Sequence, residues 1–134
     1  MATGGDDEGI RVLVVDDEPG LAEVAKSFFE RRDEQFEVVA ETSATAALDR
    51  LARSDDGFDC IVSDYDMPRM DGLQFREAVH RRCADVPFVL FTTEGREAFE
   101  GGERDVDCLR KDALDGGFDE LVEHVSSVTG AEAT

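Results

Sequence analysis

The sequence predicts an α/β fold in which helices cover both faces of a parallel β-sheet. Short apolar runs alternate five times with segments of helical periodicity, and the connections between them are short. Several runs are almost continuously β-branched, which is typical of strands that are buried on both faces. Such alternation implies parallel strands that are joined by right-handed crossovers. Because the chain has 134 residues and no repeat or linker, we expect a single domain.

The first half of the chain contains two predicted strands and two predicted helices. IRVLVVD predicts a strand at 10–16, and PGLAEVAKSFFERR predicts a helix at 19–32 that is opened by a proline. The apolar residues of this helix recur at helical spacing, at positions 21, 24, 25, 28 and 29. FEVVAE predicts a strand at 36–41, and a serine in the N-cap position opens a helix at 43–54.

The second half of the chain continues the alternation, and one of its helices is weak because glycines interrupt it. The predicted strands are 58–64, 87–92 and 106–109, and the predicted helices are 72–83, the weak segment 95–103, and 118–128.

Charge is the unusual feature of this composition. The chain has 33 acidic and 14 basic residues and a net charge of −19. Such a surface repels nucleic acid and anionic membranes, so we expect neither as a direct partner. It also repels itself unless counterions screen it, and the acid-rich, lysine-poor composition resembles that of proteins from salt-accumulating halophiles. We therefore interpret most carboxylates as a solvated coat.

Neither a membrane anchor nor a secretion signal is predicted. No apolar run approaches the roughly 18 residues of a membrane span. The acidic segment 1–9 does not resemble a signal or transit peptide, and we predict a disordered tail there. Cys60, Cys83 and Cys108 are odd in number and distant in sequence, which favours reduced thiols in a cytoplasm over a disulfide framework or a zinc site.

Residues whose side chains can bind a ligand or react lie at the carboxyl ends of the predicted strands, which is where parallel sheets bind ligands. The first strand ends in Asp16 and Asp17, the third in Asp64 and the fourth in Thr92. Lys111, one of only two lysines in the chain, follows the fifth. Two carboxylates about 4 Å apart repel by roughly 4 kcal/mol at an effective dielectric constant near 20, so such a cluster binds protons or a cation.

Oxygen ligands with room for water suit Mg²⁺. A carboxylate beside such an ion can attack a phosphoryl donor and become an aspartyl phosphate. The metal and an ammonium group then offset the charge on the phosphoryl oxygens. We therefore predict that Asp64 stands at the tip of its strand because it is a nucleophile.

The motifs VLVVDDEP, DYDMPRMDG and PFVLFTT, followed by Lys111, resemble the receiver domain of two-component response regulators in order and spacing. The resemblance spans about residues 10–128 and leaves 129–134 as a C-terminal tail. It implies a flavodoxin-like, doubly wound (βα)5 fold with strand order 2-1-3-4-5, the order established for another receiver. We expect no effector domain within this chain.

The resemblance also implies a metal site. By position, Asp16 and Asp17 help to hold Mg²⁺ or Mn²⁺, together with Asp64 and the backbone carbonyl of Asp66.

The same resemblance implies roles in a phosphorelay. Asp64 would accept a phosphoryl group from a histidine kinase or a phosphotransfer protein, Thr92 would be the switch hydroxyl, and Lys111 would pair with the phosphoryl group. The domain would be a cytoplasmic signalling module rather than an enzyme, and either a monomer or a dimer that forms on phosphorylation.

Two positions depart from the family pattern. Asp112 replaces the proline that usually follows the lysine, and because a cis bond before a non-proline residue costs about 2.5–4 kcal/mol, we expect a trans loop there. Cys108 replaces the usual switch aromatic. One alternative is therefore a pseudo-receiver, a binding module whose switch has been silenced.

A second alternative is a haloacid-dehalogenase-like phosphatase, because DYD at 64–66 matches its Asp-x-Asp motif. That motif normally lies on the first strand and continues with threonine or valine, whereas Met67 and Pro68 follow here. Turnover of small phosphoesters would favour this alternative.

Overall fold

The computed structural model describes residues 9–32, 35–53, 57–82, 86–92, 107–110 and 117–129. Its strands are β1 (Ile10–Val15), β2 (Phe36–Glu41), β3 (Cys60–Ser63), β4 (Phe88–Thr92) and β5 (Asp107–Arg110). Its described helices are α1 (Pro19–Arg32), α2 (Ala44–Arg53), α3 (Gly72–Arg82) and α4 (Phe118–Thr129).

The five strands form one parallel sheet in the order β2-β1-β3-β4-β5. The predicted fold class and strand order are therefore confirmed. The weak helix that the sequence predicts at 95–103 lies outside the described residues.

Residues of β1 alternate between two hydrophobic cores because successive side chains of a strand point to opposite faces. Val12 and Val14 lie in the core that α1 and α4 complete, whereas Leu13 and Val15 lie in the core that α2 and α3 complete. All four are at most 4% exposed. Burial on both faces explains why this strand is almost continuously apolar.

Helix α1 buries a narrower stripe than its sequence predicts. Ala22, Ala25 and Phe29 are buried, and their spacing of three and four residues places them on one helix face. Val24, which the predicted stripe includes, is 41% exposed. Phe28 is half-buried and stacks on Phe118 of α4, with ring centroids 4.9 Å apart.

The third strand begins two residues later than predicted, at Cys60 instead of position 58. The N–H of Asp59 donates to the carbonyl of Arg11 at 2.8 Å, but the N–H of Arg11 donates to the carboxylate of Asp59, also at 2.8 Å. The N–H of Arg11 thus bonds to a side chain and not to a main-chain carbonyl, so regular strand pairing with β1 begins only after Asp59. The guanidinium of Arg11 also lies 4.5 Å from the ring centroid of Phe58.

Because the chain carries a net charge of −19, we expect its thermal stability to depend on salt concentration. Among the acidic residues whose side-chain burial the structure describes, only Asp16 and Asp64 are buried and most others are exposed, which agrees with a solvated coat elsewhere. We expect the thermal unfolding midpoint to rise with salt, because the Debye length falls from about 30 Å in 0.01 M salt to about 3 Å in 1 M salt. Circular dichroism melts across this range, in NaCl and in KCl, measure the effect. A midpoint that does not rise, or that rises in only one of the two salts, would contradict a screening mechanism.

Candidate functional site

Three carboxylates converge at the carboxyl edge of the sheet. Asp16 and Asp17 directly follow β1, and Asp64 directly follows the neighbouring strand β3. One oxygen atom of each lies within 4.8 Å of the others. Asp16 and Asp64 are 5% and 9% exposed, whereas Asp17 is exposed. The structure therefore brings together the three acidic residues that the strand ends single out.

Main-chain hydrogen bonds extend the strand pairing to the residues that carry these carboxylates. The N–H of Asp64 donates to the carbonyl of Val15 at 2.9 Å, and the N–H of Asp16 donates to the carbonyl of Glu41 at 3.1 Å. The backbone at both positions is consequently held by the sheet, which limits how far the side chains can separate.

Asp16 also shapes the turn that leads into α1. Its Oδ1 accepts the N–H of Glu18 at 2.9 Å, a local bond from an aspartate side chain to the backbone two residues later. Asp17 lies between the two partners of this bond, and its exposed carboxylate belongs to the cluster. The turn thus bonds the Asp16 carboxylate to the backbone, whereas the Asp17 carboxylate lies on the solvent-exposed side of the cluster.

Asp64 is held by the residues on either side of it. Its Oδ1 accepts the N–H of Tyr65 at 2.8 Å, and its carbonyl oxygen accepts the hydroxyl of Ser63 at 2.8 Å. Ser63 is the last residue of β3 and is fully buried. The carboxylate therefore projects from a peptide that is fixed locally as well as by the sheet.

The loop after Asp64 turns sharply before it enters α3. The N–H of Met70 donates to the carbonyl of Pro68 at 2.8 Å, which closes a three-residue turn. Its central residue, Arg69, has a φ of 73°, a left-handed conformation that few residues other than glycine adopt.

Helix α3 then begins with a capping box. The N–H of Gln74 donates to Oδ1 of Asp71 at 2.8 Å, and the N–H of Asp71 donates to Oε1 of Gln74 at 2.9 Å. Gly72 follows the cap, and its N–H donates to the carbonyl of Tyr65 at 2.7 Å. These bonds fasten the start of α3 to the backbone beside Asp64.

Thr92 occupies the end of β4, the strand next to β3, and is 1% exposed. It pairs with Arg110, the last residue of β5. Lys111 is the next residue in the sequence and lies outside the described residues, as does Asp112. Cys108 is a backbone partner of Leu90 within the sheet. The roles predicted for Thr92 and Lys111 stay predictions.

Asp66 lies in the loop two residues beyond Asp64, and its side chain is exposed. Its carboxylate is not part of the cluster that the described residues form, and the metal-ligand role predicted for its backbone carbonyl does not depend on that carboxylate. That role also stays a prediction.

The donor set fits a hard divalent cation. Two carboxylates 4.8 Å apart repel by about 3 kcal/mol at an effective dielectric constant near 20, and two of the three are buried. Three oxygen ligands from one edge of the sheet match the few carboxylates that Mg²⁺ takes from proteins while it keeps water molecules. The cluster can therefore hold such an ion, and the bound ion would offset the repulsion among the three carboxylates.

Residues 12–115 match the protein family described as response regulator receiver domain. The chain is 33% identical over 118 residues to the two-component response regulator ORR21 of Oryza sativa subsp. indica, an alignment that covers 87% of this chain and 15% of that relative. It is 34% identical over 87 residues to the two-component response regulator ARR11 of Arabidopsis thaliana, covering 65% of this chain and 16% of the relative. The chain thus matches less than a fifth of the length of these relatives.

Solved structures share the same fold. A response regulator receiver protein from Sinorhizobium medicae superposes with a TM-score of 0.77 at 24% identity, covering 92% of this chain and 97% of the other. The chemotaxis response regulator CheY4 of Vibrio cholerae gives a TM-score of 0.69 at 24% identity, covering 87% and 98%.

The phosphatase alternative does not agree with the topology. Its Asp-x-Asp motif is expected on the first strand, whereas Asp64 and Asp66 follow β3, in the middle of the sheet. That alternative also has no place for the pair Asp16 and Asp17, which the structure brings to Asp64.

None of the helices in the described ranges combines the length and apolar character that crossing a bilayer requires.

Proposed function

Because this chain belongs to the family of response regulator receiver domains, we propose that Asp64 is the residue that accepts the phosphoryl group. A receiver domain of two-component response regulators is a signalling module. The observation that supports Asp64 is its nearly buried carboxylate, which lies within 4.8 Å of carboxylate oxygens from both Asp16 and Asp17.

Asp16, Asp17 and Asp64 would hold Mg²⁺, with the backbone carbonyl of Asp66 as a further oxygen ligand. When bound, the ion would offset the repulsion among the carboxylates and the negative charge of the phosphoryl oxygens. Mn²⁺ also accepts carboxylate and carbonyl ligands, so we expect it to substitute.

The transfer is a displacement at phosphorus. A carboxylate oxygen of Asp64 forms a bond to phosphorus while the P–N bond of a phosphohistidine breaks. The imidazole leaves with the electron pair of that bond and takes up a proton, and Asp64 becomes an acyl phosphate. The donor would be a histidine kinase or a phosphotransfer protein.

The residues around Asp64 would prepare it for this reaction. The N–H of Tyr65 at Oδ1 restricts rotation of the carboxylate, which reduces the entropy lost on reaching the reactive geometry. The hydroxyl of Thr92, at the end of the neighbouring strand, would bond to the transferred group, and the ammonium of Lys111 would pair with its charge.

Phosphoryl uptake that requires a divalent metal tests this function. The purified chain is incubated with acetyl phosphate, with Mg²⁺ or with EDTA, and its intact mass is measured. We expect one phosphoryl group with Mg²⁺ and none with EDTA. For Asp17→Asn, the Mg²⁺ concentration that gives half-maximal uptake should rise by about tenfold or more, because a ligand is lost.

Asp49→Asn is the matched control, because it removes the same charge from an exposed position on α2. It should leave the Mg²⁺ requirement unchanged, and an equal effect of both substitutions would indicate bulk charge instead of a metal site. Absence of uptake at any Mg²⁺ concentration would favour the pseudo-receiver. Repeated hydrolysis of phosphoesters would favour the phosphatase.

A further inference from the structure

We propose that Ser63 is a positioning residue for phosphoryl transfer. Its buried hydroxyl holds the peptide group between Asp64 and Tyr65, and that peptide group in turn holds the Asp64 carboxylate. This inference rests on the proposed role of Asp64 as the phosphoacceptor.

The geometry involves one peptide group that is held at both ends. Its carbonyl oxygen, which belongs to Asp64, accepts the hydroxyl of Ser63 at 2.8 Å. Its N–H, which belongs to Tyr65, donates to Oδ1 of Asp64 at 2.8 Å. Because a peptide group is planar, a bond that fixes the direction of the carbonyl also fixes the direction of the N–H. Ser63 therefore acts on the carboxylate through the backbone.

The hydroxyl of Ser63 lies in a part of the protein that solvent does not reach. Ser63 is 0% exposed, and as the last residue of β3 it pairs with Val15 on one side and with Leu90 on the other. Gly72 approaches the same carbonyl so closely that a Cβ atom added there would lie 2.6 Å from the oxygen. The Asp64 carbonyl thus lies between a hydroxyl and the start of α3, away from bulk solvent.

Loss of the hydroxyl removes one of the restraints on the peptide group, which allows a tilt that weakens the bond from the Tyr65 N–H to Oδ1. The carboxylate then spends less time in the orientation that the sheet and the loop set for it. Since small misplacements of reacting groups cost up to about 100-fold in rate, we expect removal of the Ser63 hydroxyl to slow phosphorylation by about tenfold.

The test compares variants that differ in the hydroxyl. Ser63→Ala removes it, Ser63→Cys replaces it with a weak donor, and Ser63→Thr keeps it. Ser126→Ala is the matched control, because it also removes the hydroxyl of a buried serine. Ser126 lies on α4 and is 5% exposed. Phosphorylation rates are measured at saturating Mg²⁺ and acetyl phosphate, with folding checked by circular dichroism. The alanine and cysteine variants should be about tenfold slower, and the threonine variant and the control within about twofold of wild type.

A spectroscopic signature separates positioning from general stability. In a ¹H–¹⁵N correlation spectrum, the Tyr65 amide proton should shift upfield in the alanine and cysteine variants, because it no longer donates to a carboxylate. The Ser126→Ala variant should leave that resonance in place. Folded alanine or cysteine variants that react at the wild-type rate would overturn the proposal, and if the alanine variant does not fold, the cysteine variant decides.

The two proposals fail in different ways. If the wild-type protein takes up no phosphoryl group, or takes it up at a residue other than Asp64, the proposed function fails. If the wild-type protein is phosphorylated on Asp64 and the Ser63 variants match its rate, only the role of Ser63 fails.

Discussion

Replacing Asp64 with asparagine is expected to abolish phosphoryl uptake and, without a divalent metal, to stabilise the fold. The amide keeps the shape of the side chain but removes the anionic oxygen that, in the proposed function, attacks phosphorus. It also removes one of three carboxylates whose oxygens lie within 4.8 Å of one another. Because this eliminates two repulsive pairs, we expect the free energy of unfolding in EDTA to rise by about 1–3 kcal/mol.

Urea unfolding followed by circular dichroism measures this gain, and intact mass after incubation with acetyl phosphate measures uptake. Added Mg²⁺ should stabilise the wild-type protein more than Asp64→Asn, because an ion that binds only the folded state stabilises that state. Asp49→Asn should change the free energy of unfolding by less than about 0.5 kcal/mol and leave uptake intact. A variant at position 64 that is less stable than wild type in EDTA would contradict carboxylate repulsion.

Replacing Gly72 with alanine is expected to destabilise the protein by about 2 kcal/mol or more, because it overpacks a site with no room for a methyl group. The added Cβ would lie 2.6 Å from the carbonyl oxygen of Asp64, 2.6 Å from Cδ2 of Leu90 and 2.9 Å from Cα of Tyr65. Two of these atoms are backbone, and Leu90 is 0% exposed. None of them can move aside without disturbing the core or the backbone of Asp64.

Gly20→Ala is the matched control, since both glycines lie near the start of a helix but Gly20 is exposed whereas Gly72 is buried. Apart from its chain neighbours and the backbone of its own helix, no heavy atom of the described residues lies within 4 Å of a Cβ atom added at Gly20. Alanine is the better helix former by about 0.5–1 kcal/mol, so this control should be as stable as the wild type or more stable. Urea unfolding of both variants measures the difference, and equal stabilities would show that α3 does not press against Asp64.

The sequence was sufficient to predict the sheet and the acidic cluster. The β-branched run from Ile10 to Val15 marks a strand that is buried on both faces, and the structure confirms it. The carboxyl ends of β1 and β3 lie one residue before the predicted ends, which is close enough for the sequence to place Asp16, Asp17 and Asp64 at the same edge of the sheet. Periodicity reports which faces are buried, and the ends of parallel strands follow from the fold class.

Features that depend on partners across the fold were not predicted. The pattern of α1 does not show that Val24 is exposed, because that depends on which neighbours cover the helix. The sequence shows Ser63 only as part of a strand, and its bond to the next carbonyl depends on the rotamer of its side chain. The capping box of Asp71 and Gln74 could have been found, since Asp-x-x-Gln before an apolar helix is a recognisable helix start.

Identifying which side chain becomes phosphorylated would test the proposed site most directly. The protein is treated with acetyl phosphate and Mg²⁺, reduced with borohydride so that an aspartyl phosphate becomes homoserine, and digested for peptide mass spectrometry. We expect homoserine at position 64 and unmodified aspartate at positions 16, 17 and 66. Modification at another residue would contradict the proposal that Asp64 accepts the phosphoryl group. Absence of any modification in a folded protein that has bound Mg²⁺ would contradict it as well.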